Sequence, residues 1–168
     1  FVLTQPSSFM VTAKGEVTST REINAWPLSR LSSIIAGCKT AYSSTRDVTI
    51  ISKSGKKTTY DLFKATRFGD LSQDPYVRPG DVIVLNKYKR KVTISGSVER
   101  PGTYELLEGE NLKTLVTYYA NGLTDLADTT RMTLTRINES ESKSGNKIYL
   151  DTEQKKKDTK VINGDVIS

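Results

Sequence analysis

The chain has 168 residues, of which 26% are charged and 36% hydrophobic, so it is long enough for one medium domain or two small ones. It contains no histidine and a single cysteine, Cys38. An internal disulfide, a cysteine-rich zinc site and a nucleophile activated by histidine are therefore excluded, and we expect neither a metal nor a cofactor.

The net charge of +6 is unevenly distributed. Residues 1–90 hold 14 Lys and Arg against 7 Asp and Glu, whereas residues 91–168 hold 11 against 12. A basic first half suits an anionic polymer, a membrane surface or nucleic acid, and it equally suits a solvated face. No stretch approaches the roughly 20 apolar residues of a membrane span. We interpret the chain, which begins without Met and reaches Ser168 within a predicted strand, as a fragment.

The first half predicts a helix, a hairpin and a closing strand. Pro27 suits a first helical turn, and the helix extends to Gly37. Its apolar stripe comprises Leu28, Leu31, Ile34 and Ile35. Residues 47–52 and 57–62 read as strands around Ser54-Gly55, and residues 82–85 close the unit. Cys38, just past the helix, is interpreted as a small buried hydrophobe.

A basic segment, Lys87-Tyr88-Lys89-Arg90-Lys91, follows. Lysines interleaved with an aromatic residue are typical of contacts to anionic polymers and to nucleic acid. The same residues also suit a solvated strand whose lysines protect an exposed sheet edge. Both interpretations stay open.

The second half begins with an alternating strand over residues 92–98 and a Pro-Gly turn at Arg100–Thr103. Asn111 is a plausible N-cap, because an apolar face with spacing i, i+3, i+4 and i+7 follows it. That face comprises Leu112, Leu115, Val116 and Tyr119, and we expect Leu115 to be buried. The return strand starts at Tyr104-Glu105-Leu106, before this helix. Further strands are predicted over 131–137 and 147–150 and from 165 onward, which gives the order β-β-α-β-β-β.

These two halves are copies of one pattern. Val77–Ile83 matches Val161–Ile167 at an offset of 84, and Gly15-Glu16-Val17 matches Gly96-Ser97-Val98 at an offset of 81. The sequence therefore predicts an α+β protein with two tandem β-grasp domains, over 12–86 and 91–168, each a mixed sheet packed on one helix. The first copy has no Pro-Gly turn in residues 18–21, so its first hairpin lacks a turn signal.

The segments 96–106, 120–128 and the closing Gly-Asp-Val-Ile at 80–83 and 164–167 resemble the signature of SLBB (soluble ligand-binding β-grasp) domains. Tandem SLBB domains are typical of outer-membrane polysaccharide export proteins, similar to the Wza class of capsule translocons. The resemblance implies a non-catalytic binding and assembly module in the bacterial periplasm, associated with the outer membrane. It implies as partners a polysaccharide, anionic polymers included, further export components and, in the full-length protein, other copies of the chain.

The candidate ligand-binding residues are aromatic or cationic: Trp26, Lys87, Lys89, Lys91, Arg100 and Tyr104. Trp26 and Tyr104 could each present a ring to a sugar or pack within the protein. No nucleophile–base pair or cofactor loop is recognisable, so we expect no enzyme. The alternative function is a basic nucleic-acid-binding module, although the resemblance favours polysaccharide and no nucleic acid.

Overall fold

In a computed structural model, the chain divides into two compact units, unit 1 over residues 1–88 and unit 2 over residues 89–168. The structure describes residues 7–136, 146–151, 153, 157 and 159–168. The predicted domain limits of 12–86 and 91–168 stay a prediction. No helix in these described ranges is long and apolar enough to cross a membrane.

Unit 1 is a five-stranded mixed sheet with short helices. Its elements are β1 (Phe9–Gly15), β2 (Arg21–Ala25), α1 (Leu31–Ala36), β3 (Ser43–Ile51), β4 (Lys57–Tyr60), α2 (Leu62–Phe68), a 3-10 turn (Leu71–Gln73) and β5 (Val82–Lys87). The strand order is β2-β1-β5-β3-β4. The first and last strands, β1 and β5, pair in parallel, and the other neighbours are antiparallel.

Unit 2 repeats this sheet. Its elements are β6 (Lys91–Ile94), β7 (Gly102–Glu105), α3 (Leu112–Thr114), a π-helical turn (Leu115–Tyr119), a 3-10 turn (Thr129–Arg131), β8 (Thr133–Arg136), β9 (Asn146–Tyr149) and β10 (Val166–Ile167). The order β7-β6-β10-β8-β9 matches that of unit 1, and β6 and β10 again pair in parallel. The predicted fold class, two mixed sheets in tandem, is confirmed. Ile137, the last residue of the predicted strand 131–137, lies outside the described residues.

The helix of unit 1 begins later than the sequence predicts. Leu28 is 60% exposed, because it lies in a turn that precedes α1, so its assignment to the apolar stripe was wrong. The first buried residue of the helix is Leu31. The carboxylate of Asp74 accepts hydrogen bonds from the amide of Ser32 at 2.8 Å and from its hydroxyl at 2.7 Å. A residue distant in sequence thus supplies the cap that the helix lacks locally.

The sequence reasoning missed α2. The predicted strand 57–62 ends at Tyr60, and the Asp61 carboxylate accepts a hydrogen bond from the amide of Phe63 at 3.1 Å. At the other end Gly69 adopts φ 72°, the left-handed conformation that commonly terminates a helix. Both capping signals are present in the sequence.

The first hairpin of unit 1 forms without a Pro-Gly turn. β1 and β2 pair over five positions, from Phe9 opposite Ala25 to Ala13 opposite Arg21. Gly15, the last residue of β1, lies opposite Leu85 of β5 and has φ 91°. A Cβ atom there would collide with the carbonyl oxygen of Leu85, so the close approach of β1 and β5 requires glycine.

The core of unit 2 follows the predicted helical spacing. Leu115 and Tyr119 are fully buried, as is Leu112, whereas Val116 is half-buried. The Asn111 side chain accepts a hydrogen bond from the amide of Thr114 at 3.1 Å, which confirms the predicted N-cap.

Each of the repeated Gly-Asp turns is closed by a hydrogen bond to its aspartate side chain. The Asp81 carboxylate accepts a hydrogen bond from the amide of Arg78, and Asp165 accepts one from Ile162, each at 2.8 Å. Asp165 also pairs with Arg136 at 2.8 Å, and its hydrogen bond raises the pKa of that guanidinium. Cys38 is buried, as predicted, and burial raises the pKa of its thiol.

Candidate ligand-binding surfaces

A cation and two aromatic rings form what we call the tyrosine ledge of unit 1: Tyr42, Lys87 and Tyr88. The rings of Tyr42 and Tyr88 stack with their centroids 6.3 Å apart at 23°. The Lys87 ammonium lies 5.2 Å from the Tyr42 ring centroid. Tyr42 is 54% exposed, so the ledge offers aromatic surface beside a positive charge.

The ledge is held in place by backbone pairing and by a polar network. The Tyr88 amide donates to the Tyr42 carbonyl at 3.0 Å, because β3 and β5 are neighbours in the sheet. The hydroxyl of Thr40 donates to the Glu16 carboxylate at 2.6 Å, and the Tyr42 amide donates to that hydroxyl at 3.1 Å. The loop before β3 is therefore fixed without a ligand, which limits the entropy lost on binding. Sequence reasoning selected Lys87 but missed Tyr42.

Trp26 lies at a second exposed point of unit 1. Trp26 directly follows β2 and is 47% exposed. The Ser29 hydroxyl accepts a hydrogen bond from the Trp26 amide at 3.1 Å, and the Ser29 amide donates to the Trp26 carbonyl at 2.8 Å. Arg30, four residues later, pairs with Tyr76 in an isolated β-bridge, and its guanidinium lies 4.3 Å from the centroid of the Tyr76 ring. The position of Trp26 is compatible with stacking on a ligand.

In unit 2 the structure brings Arg100 and Tyr104 together. The Tyr104 hydroxyl donates a hydrogen bond to the Arg100 carbonyl at 2.8 Å, and the Arg100 amide donates one to the Ala120 carbonyl at 2.9 Å. The ring of Tyr104 packs against that of buried Tyr119 with centroids 5.5 Å apart. Tyr104 thus holds the turn of the first hairpin closed, while the side chain of Arg100 is exposed.

The remaining lysines have local partners. Lys89 forms an exposed ion pair with Glu108 at 3.5 Å. Lys91 lies opposite Glu105 in the β6–β7 pair, and its amide donates to the Asn163 side chain at 2.8 Å. The ion pair of Lys89 with Glu108 is exposed and therefore weak, whereas Lys91 is half-buried at the start of β6.

Arg90, between these lysines, has a structural role. Its guanidinium donates to the Val161 carbonyl at 3.0 Å, to the Glu110 carbonyl at 3.1 Å and to the carbonyl of Leu107. Through these three hydrogen bonds, Arg90 connects the start of unit 2 with its middle and its end. The basic segment 87–91 therefore does not consist only of solvated charges, because Arg90 is bonded within unit 2.

Unit 2 also contains an apolar cavity of about 240 Å³, which we call the β10 groove. It lies between the 95–98 loop and the 123–132 loop, at the end of β10. Leu126 lies on its rim and is 90% exposed. At the same rim, hydrogen bonds from the Thr130 hydroxyl and amide lower the pKa of the Asp128 carboxyl.

Within the described ranges, no group of three or more Cys, Asp or Glu is arranged to hold a metal ion. The expectation that the protein is no enzyme stays a prediction.

Residues 91–151, most of unit 2, match the family model of the SLBB domain. The resemblance predicted from the sequence is thereby confirmed for unit 2, and unit 1 shares its strand order. No curated protein matches the chain. The match indicates a ligand-binding type of module and leaves the ligand open.

Proposed function

We propose that the chain is a non-catalytic binding and assembly module of a bacterial capsule or exopolysaccharide export protein, located in the periplasm at the outer membrane. The observation that supports this most is the SLBB match in unit 2, together with the same sheet order in unit 1. Two such modules in tandem present repeated sheets and loops that would bind a ligand or a partner without catalysing a reaction.

The ligand that fits the exposed side chains best is an acidic polysaccharide. The tyrosine ledge combines ring faces with the Lys87 ammonium, and Trp26 adds a further exposed ring in the same unit. In unit 2, Arg100, Lys89 and Lys91 would contribute positive charge. Rings stack on the apolar faces of sugars, and the cations attract their carboxylates.

Tyr42→Ala is expected to weaken binding of an acidic polysaccharide by about 2- to 10-fold, the equivalent of a stacking contribution of roughly 0.5–1.5 kcal/mol. Titration calorimetry with a soluble uronic-acid polymer measures this change. The matched control is Tyr149→Ala, which removes an equally exposed tyrosine from unit 2. Equal losses in both variants would show that the ledge is not the contact.

The same assay, repeated with random-sequence DNA over a series of salt concentrations, distinguishes the nucleic-acid-binding alternative from polysaccharide binding. Random-sequence DNA should bind weakly, whereas a nucleic-acid module would bind it tightly at low salt and lose affinity steeply as salt rises. DNA binding stronger than glycan binding at low salt, with such a slope, would replace the polysaccharide proposal.

Self-association of the chain is expected to be weak and sensitive to salt. A ring of identical subunits requires two different, complementary faces on each subunit, and a basic first half can face a nearly neutral second half. Replacing Lys87, Lys89 and Lys91 together by Glu should reduce association at low ionic strength. Sedimentation equilibrium at low and moderate salt tests this. Identical monomeric behaviour of both proteins in every buffer would rule out this electrostatic contact.

A further inference from the structure

Three surface turns meet at one end of the unit 1 sheet, which we call the hairpin end. They comprise residues 26–28 after β2, residues 52–57 around the β3–β4 turn and residues 78–80 before β5. The Gly80 amide donates a hydrogen bond to the Met10 carbonyl near the start of β1, at 3.2 Å. Ile51, at the end of β3, pairs with Val82 on one side and with Lys57 on the other. Strand pairing therefore brings the three turns to the same end of the sheet.

The hairpin end is rich in exposed cations. Lys53, Lys56 and Lys57 surround the β3–β4 turn, and Arg78 lies in the turn before β5. A Cβ atom added at Gly80 would lie 3.7 Å from the Cβ atom of Lys53, so the aliphatic stem of Lys53 passes directly beside that turn. Among the residues that the structure describes, these four cations form no ion pair. Their charges therefore create a positive potential at this end of unit 1.

An apolar turn belongs to the same end. Trp26 and Leu28 are 47% and 60% exposed, and Pro27 between them is also exposed. The Ser29 amide closes this turn by donating a hydrogen bond to the Trp26 carbonyl at 2.8 Å. The Val77 amide, next to the cationic turn, donates to the Ser29 carbonyl at 2.9 Å. An indole ring and an aliphatic side chain are thus held in the solvent beside the cations.

We propose that the hairpin end binds the surface of an anionic lipid bilayer. Trp26 lies at the level of the headgroups, Leu28 enters the boundary of the acyl chains, and the cations contact the lipid phosphates. Tryptophan is enriched at membrane–water interfaces, and basic residues near an anionic leaflet are attracted by its negative surface potential.

The exposure of Leu28 favours a bilayer over a sugar polymer at this end. A polysaccharide would contact the ring and the cations, but it offers little hydrocarbon to an aliphatic side chain. Leu112, which corresponds to Leu28 at the repeat offset of 84, is only 3% exposed, so this exposed leucine is a feature of unit 1. Membrane binding does not depend on the proposed polysaccharide ligand, although both would use Trp26.

Trp26 is the single tryptophan of the chain, so its fluorescence reports on this surface alone. The test mixes the full chain with vesicles of phosphatidylglycerol and phosphatidylcholine, or of phosphatidylcholine only, at physiological salt. With the anionic vesicles, the emission should shift to shorter wavelength, and lipids brominated on their acyl chains should quench it. Partitioning into phosphatidylcholine vesicles should be at least about 10-fold weaker, because the attraction to anionic headgroups is missing.

The apolar contribution is tested with Leu28→Ser. This variant should partition into the anionic vesicles about 3- to 10-fold more weakly, because the leucine no longer enters the bilayer. The matched control is Leu71→Ser, which removes a 57% exposed leucine from a 3-10 turn of the same unit. The control should bind like the original chain.

The cationic contribution is tested by replacing Lys53, Lys56 and Lys57 together with glutamine. Binding to the anionic vesicles should weaken by about 10- to 100-fold, since each lysine near the surface contributes to the attraction. The matched control makes the same change in net charge at three other exposed lysines of unit 1, namely Lys14, Lys39 and Lys64. Its effect should stay below about 3-fold, because salt screens charges that lie away from the membrane.

Three outcomes would overturn the proposal. The first is a Trp26 emission that neither shifts nor is quenched by brominated lipids when anionic vesicles are in excess. The second is equal binding by Leu28→Ser and Leu71→Ser. The third is a Trp26 shift with a soluble uronic-acid polymer but with no vesicles, which would assign this end to the polysaccharide.

Discussion

Replacing Leu115 by alanine is expected to lower the free energy of unfolding of unit 2 by about 2–5 kcal/mol. Leu115 is fully buried and is the first residue of the π-helical turn, directly after α3. The loss combines the transfer free energy of the removed carbons with the cost of the cavity left under the sheet.

Chemical denaturation followed by circular dichroism measures this loss. Leu126→Ala is the matched control, because it removes the same side chain from a 90% exposed position in the same unit. The control should change stability by less than about 0.5 kcal/mol. A similarly small change for Leu115→Ala would mean that the buried face of the helix is wrongly assigned.

Replacing Arg46 by methionine is expected to destabilise unit 1 by about 3–5 kcal/mol. The side chains of Arg46 and Asp61 are only 3% and 9% exposed, and their closest atoms lie 2.8 Å apart. The Arg46 Nε–H also donates to both carboxylate oxygens of Asp61, at 3.2 and 3.1 Å. Without the guanidinium, a buried carboxylate loses its charge partner, and the cap of α2 is disturbed.

A second variant identifies the cause of this loss. Arg46→Met combined with Asp61→Leu should recover part of the lost stability, because it removes the unpaired buried charge. Lys89→Met is the control for removal of a cation, since its pair with Glu108 is exposed and should contribute less than about 0.5 kcal/mol. Equal effects of Lys89→Met and Arg46→Met in denaturation experiments would contradict the buried-pair explanation.

Hydrophobic spacing and the internal repeat predict most of the fold, because both are local or nearly local signals. Asn111 and the apolar face that includes Leu115 are confirmed for this reason. The same spacing fails at Leu28, since a residue three positions before Leu31 fits a helical stripe equally well when the chain is still in a turn. Helix α2 was missed because an alternating strand pattern runs up to Asp61 and obscures its cap.

The candidate surfaces show where sequence reasoning stops. Lys87 stands out by charge, but Tyr42 is distant in sequence and reaches it only because β3 pairs with β5. Likewise, no local feature separates Arg90, which binds three carbonyls, from the surface lysines beside it. Long-range pairing decides which residues of a basic run remain available to a ligand.

The parallel pairing of the first and last strands in each unit has a consequence for biosynthesis. During translation, β1 emerges long before its partner β5, and β6 long before β10. Neither sheet can be completed until its final strand has left the ribosome, so each unit acquires its full cooperativity only at the end of its own synthesis. We expect unit 1 to fold while unit 2 is still being synthesised. This order would prevent the two similar sheets from exchanging strands during translation.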